Sequence, residues 1–176
     1  MLEGHNIGAL AHVRETSAFF QGLIESRNQF SSRTDLNIAE AYLIGFLGHY
    51  TLDTICHPYI YAMTHYKDKK ENAYFSRHAY LETDIDTALL DLKLHRQPCN
   101  FHTEDTIRLT QRQKHVIASM LYYAYRYAFP DVKFRKYTMY LAIFSMQLGL
   151  WLMHDDSGKK TVSYTHLRAH ETGAYL

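Results

Sequence analysis

Cysteine, proline and glycine are scarce in this chain. Two Cys among 176 residues are too few for a disulfide-stapled scaffold or a Cys-rich zinc ribbon. Three Pro and eight Gly exclude a collagen-like or low-complexity sequence. Neither sign of charge dominates: 19 Lys+Arg against 18 Asp+Glu leave a net +1. That excludes a highly charged disordered chain and gives no support for a broad cationic nucleic-acid surface. The apolar stretch from Met139 to Met153, broken by Ser145 and Gln147, is shorter than the roughly 20 residues of a membrane span. It reads as a buried core helix. Met1 to His12 has neither the basic nor the apolar region of a signal peptide. What the chain has in excess is 12 His and 15 Tyr. Histidine is the commonest metal ligand, so the composition points first to a metal site. The length is that of one domain, and the 47% hydrophobic content can fill one core.

The periodicity predicts an all-α fold. Ala11, Val13, Phe19, Phe20, Leu23 and Ile24 form one helical stripe between Ile7 and Ile24. Ser31 to Asp35 is a polar break, in which Thr34 or Asp35 can cap the next helix. Ile38 to Ile55 carries Gly45 and Gly48 inside an apolar pattern. Each costs about 1 kcal/mol relative to Ala in a helix, so close approach of another element is expected, with this helix central and buried. Pro58 disfavours helical geometry at His57 and predicts a helix end there. A solvated loop with Lys67, Lys69 and Lys70 follows. Three more helices are predicted: Arg77 to about Leu94 with Ser76 as N-cap, Gln111 to Phe129, and Val132 to Met153. A long connection from His95 to Thr110 separates the first two. No strand pattern or internal repeat is evident.

The chemistry concentrates between Gly48 and Asp86. His49, Asp53 and His57 are spaced by four, which places all three on one face of a helix, with Cβ atoms of successive members about 6 Å apart. In an apolar helix such polar side chains are costly without partners. The next helix supplies His78 and Glu82, again four apart, with Asp84 and Asp86 beyond. One His-x-x-x-Asp pair is usually a hydrogen-bonded pair or a solvated face. Five such residues in two adjacent helices favour a metal site instead. Nitrogen and oxygen donors without thiolate suit Zn²⁺, with Fe or Mn fitting less well. Asp53, flanked by imidazoles on both sides, is placed as a carboxylate bridging two metals would be. A di-iron helical protein would need Glu-x-x-His pairs, which these are not. Cys56 should point off the ligand face and is read as a buried free thiol. Asp84 or Asp86 could orient an imidazole, and Tyr50, Tyr59 and Tyr61 could shape a pocket, although core packing is the commoner role of a tyrosine.

The pattern His49-Tyr50-x-x-Asp53-x-x-x-His57-Pro58, then Arg77-His78-x-x-x-Glu82-x-x-x-Asp86, resembles the bacterial zinc-dependent phospholipase C family, related in fold to the single-strand-specific zinc nucleases. The resemblance extends upstream to Gly8-x-x-x-His12 with Phe19-Phe20. Downstream it continues more weakly into Leu152-x-His154-Asp155-x-x-Gly158-Lys159-Lys160.

The resemblance implies a bundle of about five helices holding up to three Zn²⁺. It implies His12, His49 and Asp53 as ligands of one ion, and His57, His78 and Glu82 as ligands of a second. Asp53 would bridge to a third and take the catalytic assignment. The implied function is phosphodiester hydrolysis by metal-activated water. A phospholipid or other phosphodiester is the substrate, with contact at a membrane surface and a monomeric state. A zinc nuclease and a non-catalytic zinc-binding domain are the alternatives; the tyrosines of the Gln111 to Phe129 helix read more simply as packing than as base-stacking platforms. The family's N-terminal histidine and its acidic Gly-Pro-Asp turn have no counterpart here. The expectation is therefore that residues 1–161 form one metal-binding domain that begins inside a longer protein. Residues 162–176 resemble a translated sequencing adapter, expected to be a non-native tail.

Overall fold

A computed structural model describes residues 11, 14–65 and 72–154 of the protein. His12, the lysines at 67, 69 and 70, and the 162–176 tail lie outside the described residues. Among those described there are five α-helices and no strand: α1 Thr16–Ser26, α2 Arg33–Met63, α3 Asn72–Leu94, α4 Gln111–Ala128 and α5 Lys136–Met153. Short 3-10 turns cover Arg27–Gln29, Pro98–Asn100 and Thr103–Ile107. The all-α fold expected from periodicity, and the five helices the resemblance implies, are therefore present among the described residues. The chain divides into two compact units, Met1–Tyr50 with Arg108–Leu148 and Thr51–Ile107 with Gly149–Leu176.

The first unit holds the hydrophobic core. α1 packs on α4, and Phe19, Leu23, Val116, Met120, Ala124 and Met139 are buried together. Phe19 meets the Tyr125 ring edge-on at 4.9 Å between centroids. Burial pushes the Tyr125 hydroxyl up to about 12. Gly22 permits this approach: a Cβ there would lie 2.9 Å from both Ala124 Cα and Tyr127 Cβ. α4 starts at a capping box, in which Thr110 Oγ1 accepts from Gln113 N–H at 3.2 Å and Thr110 N–H donates to Gln113 Oε1 at 2.7 Å. Arg112 Nε donates to Asp35 Oδ1 at 2.7 Å and Arg112 also donates to Ser32 Oγ, tying the starts of α2 and α4 together.

Several boundaries differ from the sequence expectation. The stripe between Ile7 and Ile24 is interrupted at Glu15, whose φ of 54° lies in the left-handed region, so α1 begins only at Thr16. α2 begins at Arg33, which puts Asp35 inside its first turn rather than at its cap. There its negative charge faces the positive end of the helix dipole. α2 also continues through Pro58 to Met63. The carbonyl that loses its N–H donor is that of Thr54, an exposed residue within reach of water. Continuation buries Ile60 and lets the Thr64 N–H and hydroxyl both donate to the Ile60 carbonyl. α3 starts four residues before the expected Ser76 cap.

The expected burial of α2 is also corrected. Nothing among the described residues lies within 4 Å of a Cβ built at Gly45 or Gly48, and Ile44 and Ile55 are 72% and 71% exposed. The close contact that glycine serves is at Gly22 instead, where α1 presses against α4, while α2 joins the same core through Ala39, with Ile38, Tyr42, Leu43 and Phe46 packed against it. Cys56, expected to be buried, is exposed.

Candidate metal centre

The second unit brings the end of α2 against the start of α3. Arg77 Nε donates to the Thr64 carbonyl at 3.3 Å, fixing how α3 enters. The result places His78 and Glu82, one turn apart on α3, opposite His57 of α2. His78 Nε2 stands 3.0 Å and His57 Nε2 3.6 Å from the same oxygen, Glu82 Oε1. One donor atom from each of the three lies within 4.8 Å of the others. The rings of His57 and His78 meet edge-on at 5.6 Å between centroids. All three side chains are half-buried, accessible to a small ligand yet partly withdrawn from water.

Tyr61 supplies an orienting contact. Its hydroxyl lies 3.3 Å from His57 Nδ1, and the two rings stack at 5.0 Å. In the tautomer that coordination requires, His57 Nδ1–H donates to Tyr61 Oη and the Nε2 lone pair points toward Glu82. The spacing Pro58-x-x-Tyr61 reaches His57 only because the helix is not broken at proline. Tyr61 thus takes an imidazole-orienting position that the sequence suggested for Asp84 or Asp86. Asp86 is one turn beyond Glu82. Although largely exposed, its carboxyl is pushed above the ordinary aspartate range by partial desolvation and then by the Glu82 carboxylate.

The remaining sequence-derived ligands are not among these three converging donors. Asp53 is half-buried on α2, one turn before His57, and is not among the three converging donors. His49 belongs to the first unit, where it lines an aromatic pocket with Phe19, Phe20, Phe46 and Tyr50. His12 is outside the described residues. A second convergent group, His102, Glu104 and His154, was not anticipated. His102-x-Glu104 lies in a connection without helical period, and His154 is distant in sequence, so spacing carries no signal for it.

Two imidazoles and one carboxylate, with no thiolate, fit zinc, and three protein ligands leave a fourth position open as catalytic zinc sites do. An all-helical chain with this donor set has the make-up of a zinc hydrolase domain. The sequence profile of zinc-dependent phospholipase C matches residues 3–129, and the chain belongs to that family. The matched stretch contains His57, His78 and Glu82. No curated protein and no solved structure is similar enough to the chain to match it. The family is described as zinc-dependent phospholipase C, which implies zinc, hydrolase chemistry and a phospholipid substrate class. No helix among the described residues is long and apolar enough to cross a membrane.

Proposed function

We propose that the protein is a zinc-dependent phosphodiester hydrolase acting on phospholipids, with His57, His78 and Glu82 as the ligands of one zinc. The observation that carries this reading is the convergence of those three side chains inside the stretch matched by the family. Zinc bound there would polarise a phosphoryl oxygen and lower the pKa of water to about 7. The chain's own residues hold the geometry. Glu82 supplies the negative charge that a divalent cation needs, Tyr61 fixes the His57 ring, and the α2–α3 packing sets the imidazoles against one another. Asp53 is proposed as a carboxylate shared between ions and as the catalytic residue. His49 and His12 are proposed as further ligands. For His12, His49 and Asp53 the support is the family likeness.

A nuclease would want aromatic platforms and a positive groove. Of the α4 tyrosines, Tyr125 is buried in the core, Tyr122 and Tyr123 are half-buried and only Tyr127 is exposed, and the net charge is only +1. These observations favour the lipid substrate.

The test is parallel incubation of the zinc-loaded protein with phosphatidylcholine vesicles and with single-stranded DNA, zinc content being measured on the same samples. Release of the phosphorylated head group, lost together with zinc in His57→Ala and Glu82→Ala and weakened in Asp53→Asn, is the expected result. DNA cleavage without lipid cleavage would make the protein a nuclease. Full zinc content without hydrolysis of either substrate would make it a non-catalytic zinc-binding domain.

A further inference from the structure

The second donor group lies in the second unit but uses different elements. His102 and Glu104 come from the connection between α3 and α4, where the 3-10 turn Thr103–Ile107 begins. His154 directly follows α5, its N–H directed at the carbonyls of Leu150 and Trp151. His102 Nδ1 is 3.0 Å from Glu104 Oε1, and His154 Nδ1 is 3.7 Å from Glu104 Oε2. The two imidazoles stack, with centroids 4.4 Å apart and planes inclined by 23°.

Two features set this group apart from a surface ion pair. Glu104 Oε2 is buried and has no hydrogen-bond donor among the described residues. Its nearest recorded nitrogen, at 3.7 Å, is beyond hydrogen-bond reach. A buried carboxylate oxygen left in this way is costly unless a charge or donor meets it. Two of the three side chains are also withdrawn from water, His154 to 9% and Glu104 to 19% exposure, while His102 is 54% exposed at the open side. The second feature is spacing. A tetrahedral zinc with bonds of about 2.0–2.2 Å separates its ligand atoms by roughly 3.3–3.6 Å. The 3.0 and 3.7 Å approaches, one to each carboxylate oxygen of Glu104, lie close to that separation, and one donor from each residue lies within 4.8 Å of the others.

We propose that His102, Glu104 and His154 form a second metal site, selective for Zn²⁺ or a similar borderline cation, that fastens the α3–α4 connection to the end of α5. Two imidazoles and a carboxylate without thiolate define that class of ion. The site is independent of the His57, His78 and Glu82 centre, sharing no residue with it. His154 also lies beyond the stretch matched by the family. Its consequence is structural: a connection without α-helix is held at His102 and Glu104 by an ion whose binding energy is partly folding energy.

The test is zinc content by mass spectrometry of the 176-residue protein after loading and desalting, on the parent, Glu104→Ala, His102→Ala and Glu82→Ala, and on the Glu82→Ala/Glu104→Ala double variant. Glu104→Ala and His102→Ala should each lose about one equivalent relative to the parent, and the double variant should lose about one more than Glu82→Ala. His102 is exposed on the connection, so its replacement leaves the core untouched. Any variant whose far-ultraviolet circular dichroism departs from the parent is replaced by cobalt titration of the Glu82→Ala protein. There a tetrahedral absorption band is expected that is lost when His154→Gln is added, and its absence, or its persistence in that double variant, overturns the site. Parental zinc content in both Glu104→Ala and His102→Ala also overturns it. Loss in those variants with none in Glu82→Ala would uphold this site while rejecting the ligand set proposed for the hydrolase.

Discussion

His57 of α2 and Glu82 of α3 stand 3.6 Å apart across two helices, and the ring of His57 is held from behind by Tyr61, one turn further along its own helix. A ligating imidazole is useful only while its ring is oriented, and the hydrogen bond at its other nitrogen does that orienting.

Tyr61→Phe removes the Nδ1 partner and keeps the stacked ring. Zinc affinity measured against a competing chelator should fall by about 10-fold or more, with the thermal midpoint of the metal-free protein little changed. An unchanged affinity would show that His57 is oriented by something other than Tyr61.

The two kinds of glycine predict opposite signs. In Gly22→Ala the new methyl meets Ala124 and Tyr127 at 2.9 Å. Overpacking of this kind costs about 1–3 kcal/mol, more than the gain of up to about 1 kcal/mol in helix propensity. In Gly45→Ala the methyl enters open space, and the propensity gain of about 1 kcal/mol should appear undiminished. Urea midpoints of the two variants decide the matter, and a stabilised Gly22→Ala would contradict the α1–α4 contact.

Asp35 provides the pH dependence. The hydrogen bond from Arg112 holds its carboxyl below the ordinary aspartate range. A carboxyl depressed in the folded state contributes stability above its unfolded pKa of about 4, and that contribution disappears as pH falls through the lower folded value. The parent should therefore have a higher thermal midpoint than Asp35→Asn near neutral pH, and the gap should close below about pH 4. The pair is exposed, so the gap should be small and should narrow with added salt. A gap that widens on acidification would reverse the assigned sign.

The helical periods of residues 77–94 and 111–129 and the apolar run within 132–153 foretold α3, α4 and α5 to within about five residues, because such patterns are local. The burial expected of the Met139–Met153 run is not found: Phe144, Met146, Trp151 and Leu152 are more than half exposed. The pairing of His78 with Glu82 was likewise legible, since residues four apart on a helix must share a face. The position of Pro58 was misread because its penalty is local, whereas what sustains the helix past it, the burial of Ile60 and the contact between Tyr61 and His57, arises only on folding.

By itself the sequence determined an all-helical chain, a donor set of nitrogen and oxygen, and the faces on which His57, His78 and Glu82 sit. Only the tertiary structure decided that α3 turns that face toward α2, bringing His57 and Glu82 to 3.6 Å. It decided also that Gly22 rather than Gly45 admits a neighbour, and that His154 meets His102 and Glu104. Side-chain spacing along one helix follows from 3.6 residues per turn, whereas contacts between distant segments depend on how buried surfaces fit, which no single segment encodes.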